Sequence, residues 1–155
     1  MHVVYPGSFD PPTLGHISII DKVSKLFDRV TVIVAENPDK KPFIKCAEKK
    51  KLIESLCENF NNVDVFVWKG LLIDCVKDLK ADVILKGLRN QSDLEVEQLM
   101  AEANRKLSGI ETLFMPCEGK FQHISSSLVR QIHKMAGPVE QFVPTKVNEF
   151  LMSKK

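Results

Sequence analysis

The sequence predicts a doubly wound α/β fold, one domain over residues 1–155, on a five-stranded parallel sheet of order 3-2-1-4-5. Three observations carry this. Short apolar runs rich in β-branched residues alternate along the chain with segments whose apolar residues recur at helical spacing. Alternation of that kind means βαβ units, hence a parallel sheet with right-handed crossovers. The chain has 155 residues, 44% hydrophobic and 27% charged, the size and composition of one ordinary globular domain.

The elements follow in order. Val3–Tyr5 is the first strand, and Gly15–Phe27 a helix with Ile17, Ile20, Val23 and Phe27 on one face. Arg29–Ala35 is the second strand, followed by a polar loop holding Pro38 and Pro42. Ala47–Phe60 is a helix carrying Leu52, Ile53, Leu56 and Phe60, and Val63–Trp68 the third strand. Leu71–Leu79 is helical and Asp82–Lys86 is the fourth strand. Asp93–Leu107 is a helix opened by Ser92 or Asp93 as its cap. Thr112–Met115 is the fifth strand. Ser125 or Ser126 caps the next helix, which ends at Gly137-Pro138, and a short helix covers Lys146–Met152.

Several function classes are excluded by composition. Twenty-two basic and 20 acidic residues leave a formal net charge of +2, without the strong basic excess of a nucleic-acid binder. No apolar run approaches the roughly 18 residues of a membrane span, and Met1-His2-Val3-Val4-Tyr5 enters a strand without the basic start of a signal peptide. Cys46, Cys57, Cys75 and Cys117 form no CxxC pair and fit neither a zinc site nor a disulfide framework. Free thiols suit a reducing compartment, so the expected location is the cytoplasm. Cys57 and Cys75 fall on apolar helix faces and read as core, and the run Lys49-Lys50-Lys51 as an exposed helix face. Leu99, Met100 and Leu107 read as helix core or subunit interface.

In a doubly wound sheet, ligands sit beyond the carboxyl ends of the strands, at the point where the order reverses. Here that is between the first and fourth strands. After the first strand come Gly7, Ser8, Phe9 and Asp10, two prolines, then Thr13-Leu14-Gly15-His16 at a helix start, where free N–H groups and the helix dipole attract anions. After the fourth come Lys86-Gly87-Leu88-Arg89 and a helix bearing Asp93, Glu95 and Glu97. Lys40-Lys41-Pro42 follows the second strand and Ile124-Ser125-Ser126-Ser127 the fifth. The first loop is neither GxGxxG nor a Walker lysine loop, so neither of those phosphate mechanisms applies.

These residues carry a resemblance. The stretch YPGSFDPPTLGH resembles the (H/T)xGH signature of the nucleotidyltransferases, and its form Thr13-Leu14-Gly15-His16 is most similar to the phosphopantetheine adenylyltransferase family, a Rossmann-like fold. KGLR at 86–89, the KKP loop at 40–42 and ISSSLVR at 124–130 resemble that family's RGLR, KKP and ISSS-x-VR segments, so the likeness runs nearly end to end. Two departures are visible: Lys86 replaces the family's usual Arg, which keeps the charge but not the bidentate fork, and Phe121 stands where some relatives have Trp.

The resemblance implies that adenylyl passes from ATP to 4′-phosphopantetheine, giving dephospho-coenzyme A and pyrophosphate by in-line attack without a covalent enzyme intermediate. It implies that His16 stabilises the transition state, with Lys40 and Arg89 also catalytic. Ser8, Lys40, Leu72 and Lys86 would hold the acceptor. ATP would meet Ser8, Phe9, His16, Gly87, Leu88, Arg89, Glu97 and the run Phe121, Gln122, His123, Ile124, Ser125, Ser126 and Ser127. Mg²⁺ would come with ATP through water and phosphate oxygens, with no protein metal ligand. A homohexamer with feedback by coenzyme A is implied too. Two rival readings stand beside this one. One is a nucleotidyltransferase acting on nicotinamide mononucleotide or glycerol phosphate, against which Thr13, the KKP loop and KGLR argue. The other is a nucleotide-binding module without catalysis, which has little use for cations converging on both sides of one phosphate.

Overall fold

A computed structural model describes residues 1–36, 39 and 41–154. Its sheet has five parallel strands in the order β3-β2-β1-β4-β5. The strands are β1 (His2–Gly7), β2 (Arg29–Glu36), β3 (Val63–Lys69), β4 (Val83–Leu88) and β5 (Glu111–Pro116). The helices are α1 (Leu14–Leu26), α2 (Cys46–Leu56), α3 (Leu72–Asp78), α4 (Gln91–Ser108), α5 (Ser126–Lys134) and α6 (Thr145–Met152). The expected strand order and element sequence are those observed.

The central strands read as continuous apolar runs because both faces are covered. Val3 and Tyr5 pack with Val32, Val34, Val83 and Leu85 against Ile19, Ile20 and Val23 of α1 and Ile53 of α2. The residues between them, Val4, Ile33 and Ile84, pack on the opposite face with Cys75 and Val76 of α3. This strict alternation fixes the register, since a slip of one residue would exchange the two cores. A third cluster joins α2 to the C-terminal part through Leu52, Val129, Val147 and Leu151. Cys57, Cys75 and Cys117 are buried and Cys46 half-buried, all as free thiols.

Several boundaries differ from expectation. α1 starts at Leu14 because Thr13 caps it, its Oγ1 accepting from the His16 N–H. α4 is capped by Asn90, whose side chain accepts from the Asp93 N–H, and not by Ser92 or Asp93. That frees the Asp93 carboxylate for another partner. α2 ends at Leu56, before the expected Phe60, and α5 at Lys134, before the expected stop at Gly137-Pro138, with a 3-10 turn at Gly119–Phe121 before α5. Among the described residues no helix is long and apolar enough to cross a membrane.

Candidate active site

The carboxyl ends of β1 and β4 part at the switch point and open a cleft of about 1110 Å³. His16 stands at its floor. The Thr13 N–H, which can only donate, points at His16 Nδ1 at 3.0 Å, and Thr13 Oγ1 lies 3.0 Å from the same nitrogen. Nδ1 therefore accepts, so the neutral ring carries its proton on Nε2 as a donor. Burial, reinforced by Arg89, lowers the imidazole pKa to about 4, so the ring is uncharged at neutral pH. The Phe9 ring packs edge-on against His16, with centroids 4.9 Å apart. Phe9 is 1% exposed and holds a left-handed backbone, φ 45°. It lies behind His16 and outside the cleft wall. Gly7 is required beside it, because a Cβ there would meet the Phe9 ring at 3.0 Å.

The carboxyl end of β4 and the residue after it supply two cations, each held by a carboxylate of α4. Lys86 Nζ lies 3.1 Å from Glu97 Oε2. Arg89 donates through Nε and Nη2 to the two oxygens of Asp93, both at 2.9 Å, and its backbone N–H donates to Asp93 as well. A two-bond fork of this kind fixes the guanidinium plane. Gly87 allows α1 to cross β4 closely, since a Cβ there would meet Ile19 Cδ1 at 2.3 Å.

The third side is the start of α5. Ser125 caps it by accepting from the Leu128 N–H at 3.0 Å, and Ser126 Oγ donates to the Pro11 carbonyl at 2.8 Å. Arg130 donates to the Asp10 carbonyl at 2.6 Å and to Ser127 Oγ at 3.0 Å. A hydroxyl-bearing helix N-terminus thus faces a cleft whose other sides carry cations, an arrangement suited to a polyanion.

Of the residues expected at a site, Ser8, His16, Lys86, Gly87, Arg89, Glu97, Ile124, Ser125, Ser126 and Ser127 line this cleft. Leu88, Phe121, Gln122 and His123 lie beyond its lining, and Leu72 packs against the α3 face of the sheet beside Trp68. Lys40 is outside the described residues; its neighbour Lys41 lines the cleft. Asp10, Thr13, Asp93 and Arg130 are wall residues to which the sequence reading assigned no substrate contact. Lys49 corrects it outright: read as part of an exposed face, it is 2% exposed and reaches into the cleft wall. Its position could have been found, because 49, 52, 53 and 56 share one helical face and Leu52 and Ile53 are core.

Residues 4–132 match the family model described as Cytidylyltransferase-like. The chain is 46% identical over 152 residues to the phosphopantetheine adenylyltransferase of Clostridium novyi, covering 97% of this chain and 94% of that protein. It is 46% identical to the protein of that name from Alkaliphilus metalliredigens, covering 98% and 97%, and 41% identical to that from Natranaerobius thermophilus, covering 99% and 95%. Among solved structures, a Vibrio parahaemolyticus protein assigned as a nicotinate-nucleotide adenylyltransferase superposes with a TM-score of 0.71 at 15% identity, covering 99% of this chain and 92% of the other. At that identity the likeness is one of fold.

Proposed function

The chain belongs to the phosphopantetheine adenylyltransferase family, within the Cytidylyltransferase-like proteins, and on that premise we propose how its cleft transfers adenylyl from ATP to 4′-phosphopantetheine. An acceptor phosphate oxygen attacks the α-phosphorus, the bond to the bridging oxygen breaks, and pyrophosphate leaves. The acceptor is already an anion, so no strong base is needed. The barrier lies in aligning several negative groups, and positioning with charge stabilisation supplies the catalysis. The observation that carries this reading is the convergence, from three separate loops, of a neutral Nε2–H donor, two cations and a helix N-terminus on one cleft.

His16 donates to the α-phosphate as its charge grows. Arg89 and the Ser125–Ser127 turn take the β- and γ-phosphates. Ser8, Lys40 and Lys86 hold the acceptor phosphate, and Leu72 packs on the pantetheine arm. Gly87, Leu88, Glu97 and the run from Phe121 to Ile124 border the nucleotide, while Phe9, expected to do so, backs His16 from outside the cleft. Mg²⁺ accompanying ATP would offset triphosphate charge. The α4 carboxylates, Asp93 and Glu97, are engaged by Arg89 and Lys86. Phosphate oxygens and water therefore suit that ion better than a protein cage. Coenzyme A, which combines the pantetheine and adenine parts of the two substrates, suits the same cleft as a feedback inhibitor. The exposed apolar residues of α4 support a homohexamer. Residues 1–155 act as one domain, and the free thiols fit a cytoplasmic enzyme.

The test is an acceptor panel. With ATP and Mg²⁺, pyrophosphate release is expected with 4′-phosphopantetheine and not with nicotinamide mononucleotide or glycerol phosphate. Release with either of the latter alone would reassign the acceptor, and ATP binding without any release would leave only a binding module.

A further inference from the structure

Lys49 is the one lysine of α2 turned into the protein. Burying an ammonium is costly unless it is paired and hydrogen-bonded. Its Nζ donates to the Ser8 carbonyl at 2.9 Å and lies 3.9 Å from Asp10 Oδ1. Asp10 in turn accepts from the Phe43 and Ile44 N–H groups, both at 2.8 Å. Its own carbonyl is held by Arg130. Between these two fixed points sits Phe9, in the left-handed region that a bulky residue adopts only when its surroundings over-determine it. The Phe9 ring is what His16 leans on.

We propose that Lys49 is a positioning residue for the reaction: by clamping the Ser8 carbonyl and the Asp10 carboxylate it holds Phe9 left-handed and so sets where the His16 Nε2–H points. The inference rests on the reading of the cleft as an adenylyl-transfer site. In this role Lys49 acts with its Nζ engaged by the Ser8 carbonyl and the Asp10 carboxylate, not by contact with the reacting groups. Its effect runs through Ser8, which carries a hydroxyl at the cleft rim, and through Phe9, which backs His16. The same tether fixes the chain at Phe43 and Ile44, so the loops after β1 and β2 are set relative to each other.

The experiment compares wild type, Lys49→Met, Lys49→Arg and Asp10→Asn by steady-state kinetics and by the NMR resonances of the His16 ring. Lys49→Met is expected to lower kcat by about 10- to 100-fold, with KM for ATP changed by less than about 3-fold. Lys49→Arg, which keeps a donor, is expected to recover most of that loss. The His16 ring resonances should move in Lys49→Met, while the indole N–H of Trp68, which donates to the Leu71 carbonyl away from the tether, should not. A lysine that merely stabilised the fold would lower the melting temperature and leave kcat and the His16 resonances in place. If Lys49→Met does not fold, Asp10→Asn tests the same clamp at unchanged shape. Either an unchanged kcat or unmoved His16 resonances in the folded variant overturns the proposal. Were the wild type inactive towards 4′-phosphopantetheine, the functional reading would fail, and the resonances alone would still decide the role of Lys49.

Discussion

Thr13 and His16 lock each other: a backbone N–H fixes the ring nitrogen while the threonine hydroxyl fixes the helix start. Burial then keeps that ring neutral, with its pKa lowered to about 4 from 6.5. The unfolded chain takes up a proton near pH 6.5 that the folded chain refuses until about pH 4. Stability should therefore fall as pH drops through that window, by roughly 2–3 kcal/mol from this group, and be indifferent to it above. His16→Gln removes the titrating group. Its urea-unfolding free energy, followed from pH 7 to 4, should lose that part of the slope, and an identical slope in both proteins would show that His16 titrates normally. In the sequence His16 was visible as chemistry, because GH at a helix start is a distinctive pattern. Its protonation state was not, since that depends on Phe9 and Arg89 closing around it. Lys49 was hidden by its two lysine neighbours, whose company suggests solvent.

At the scale of elements, α4 does two jobs on two faces. One face brings Asp93 and Glu97 to the cations at and just after the carboxyl end of β4. The other leaves Val96, Leu99, Met100 and Leu107 open, with Leu99 76% exposed. Helical spacing marked these residues as apolar but could not separate core from interface, because both look alike until the sheet is in place. Their exposure removes the core alternative. Contiguous apolar surface of this kind is commonly covered by a partner. Replacing Leu99 and Met100 by lysine should reduce the assembly mass measured by light scattering towards that of the 17.5 kDa chain. Exposed positions tolerate such changes to within about 0.5 kcal/mol, so the chain should stay folded. A wild type that is already monomeric, or an assembly indifferent to both substitutions, would contradict the proposed hexamer.

For the whole molecule, the strand order was legible because the alternation of apolar runs and helical periods leaves few topologies. Order then dictates which loops meet, and the loops after β1, β4 and β5 do meet at one cleft. The side-chain ties that pre-set the cleft were less legible: Asn90 taking the cap so that Asp93 can hold Arg89, and Arg130 reaching back to Asp10. They depend on distances between loops far apart in sequence, which no local pattern encodes. Lys40 lies outside the described residues. In the proposed reaction this frame aims one neutral donor, the His16 Nε2–H, at the reacting phosphate, a role open to direct test. It is tested most directly by pyrophosphate release from ATP and 4′-phosphopantetheine in wild type and His16→Ala, with ATP affinity measured in parallel. His16→Ala should lower kcat by about 10²–10³-fold, the loss typical of one charge-stabilising donor, while the Kd for ATP stays within a few-fold. A His16→Ala enzyme whose kcat stays within a few-fold of wild type would contradict it.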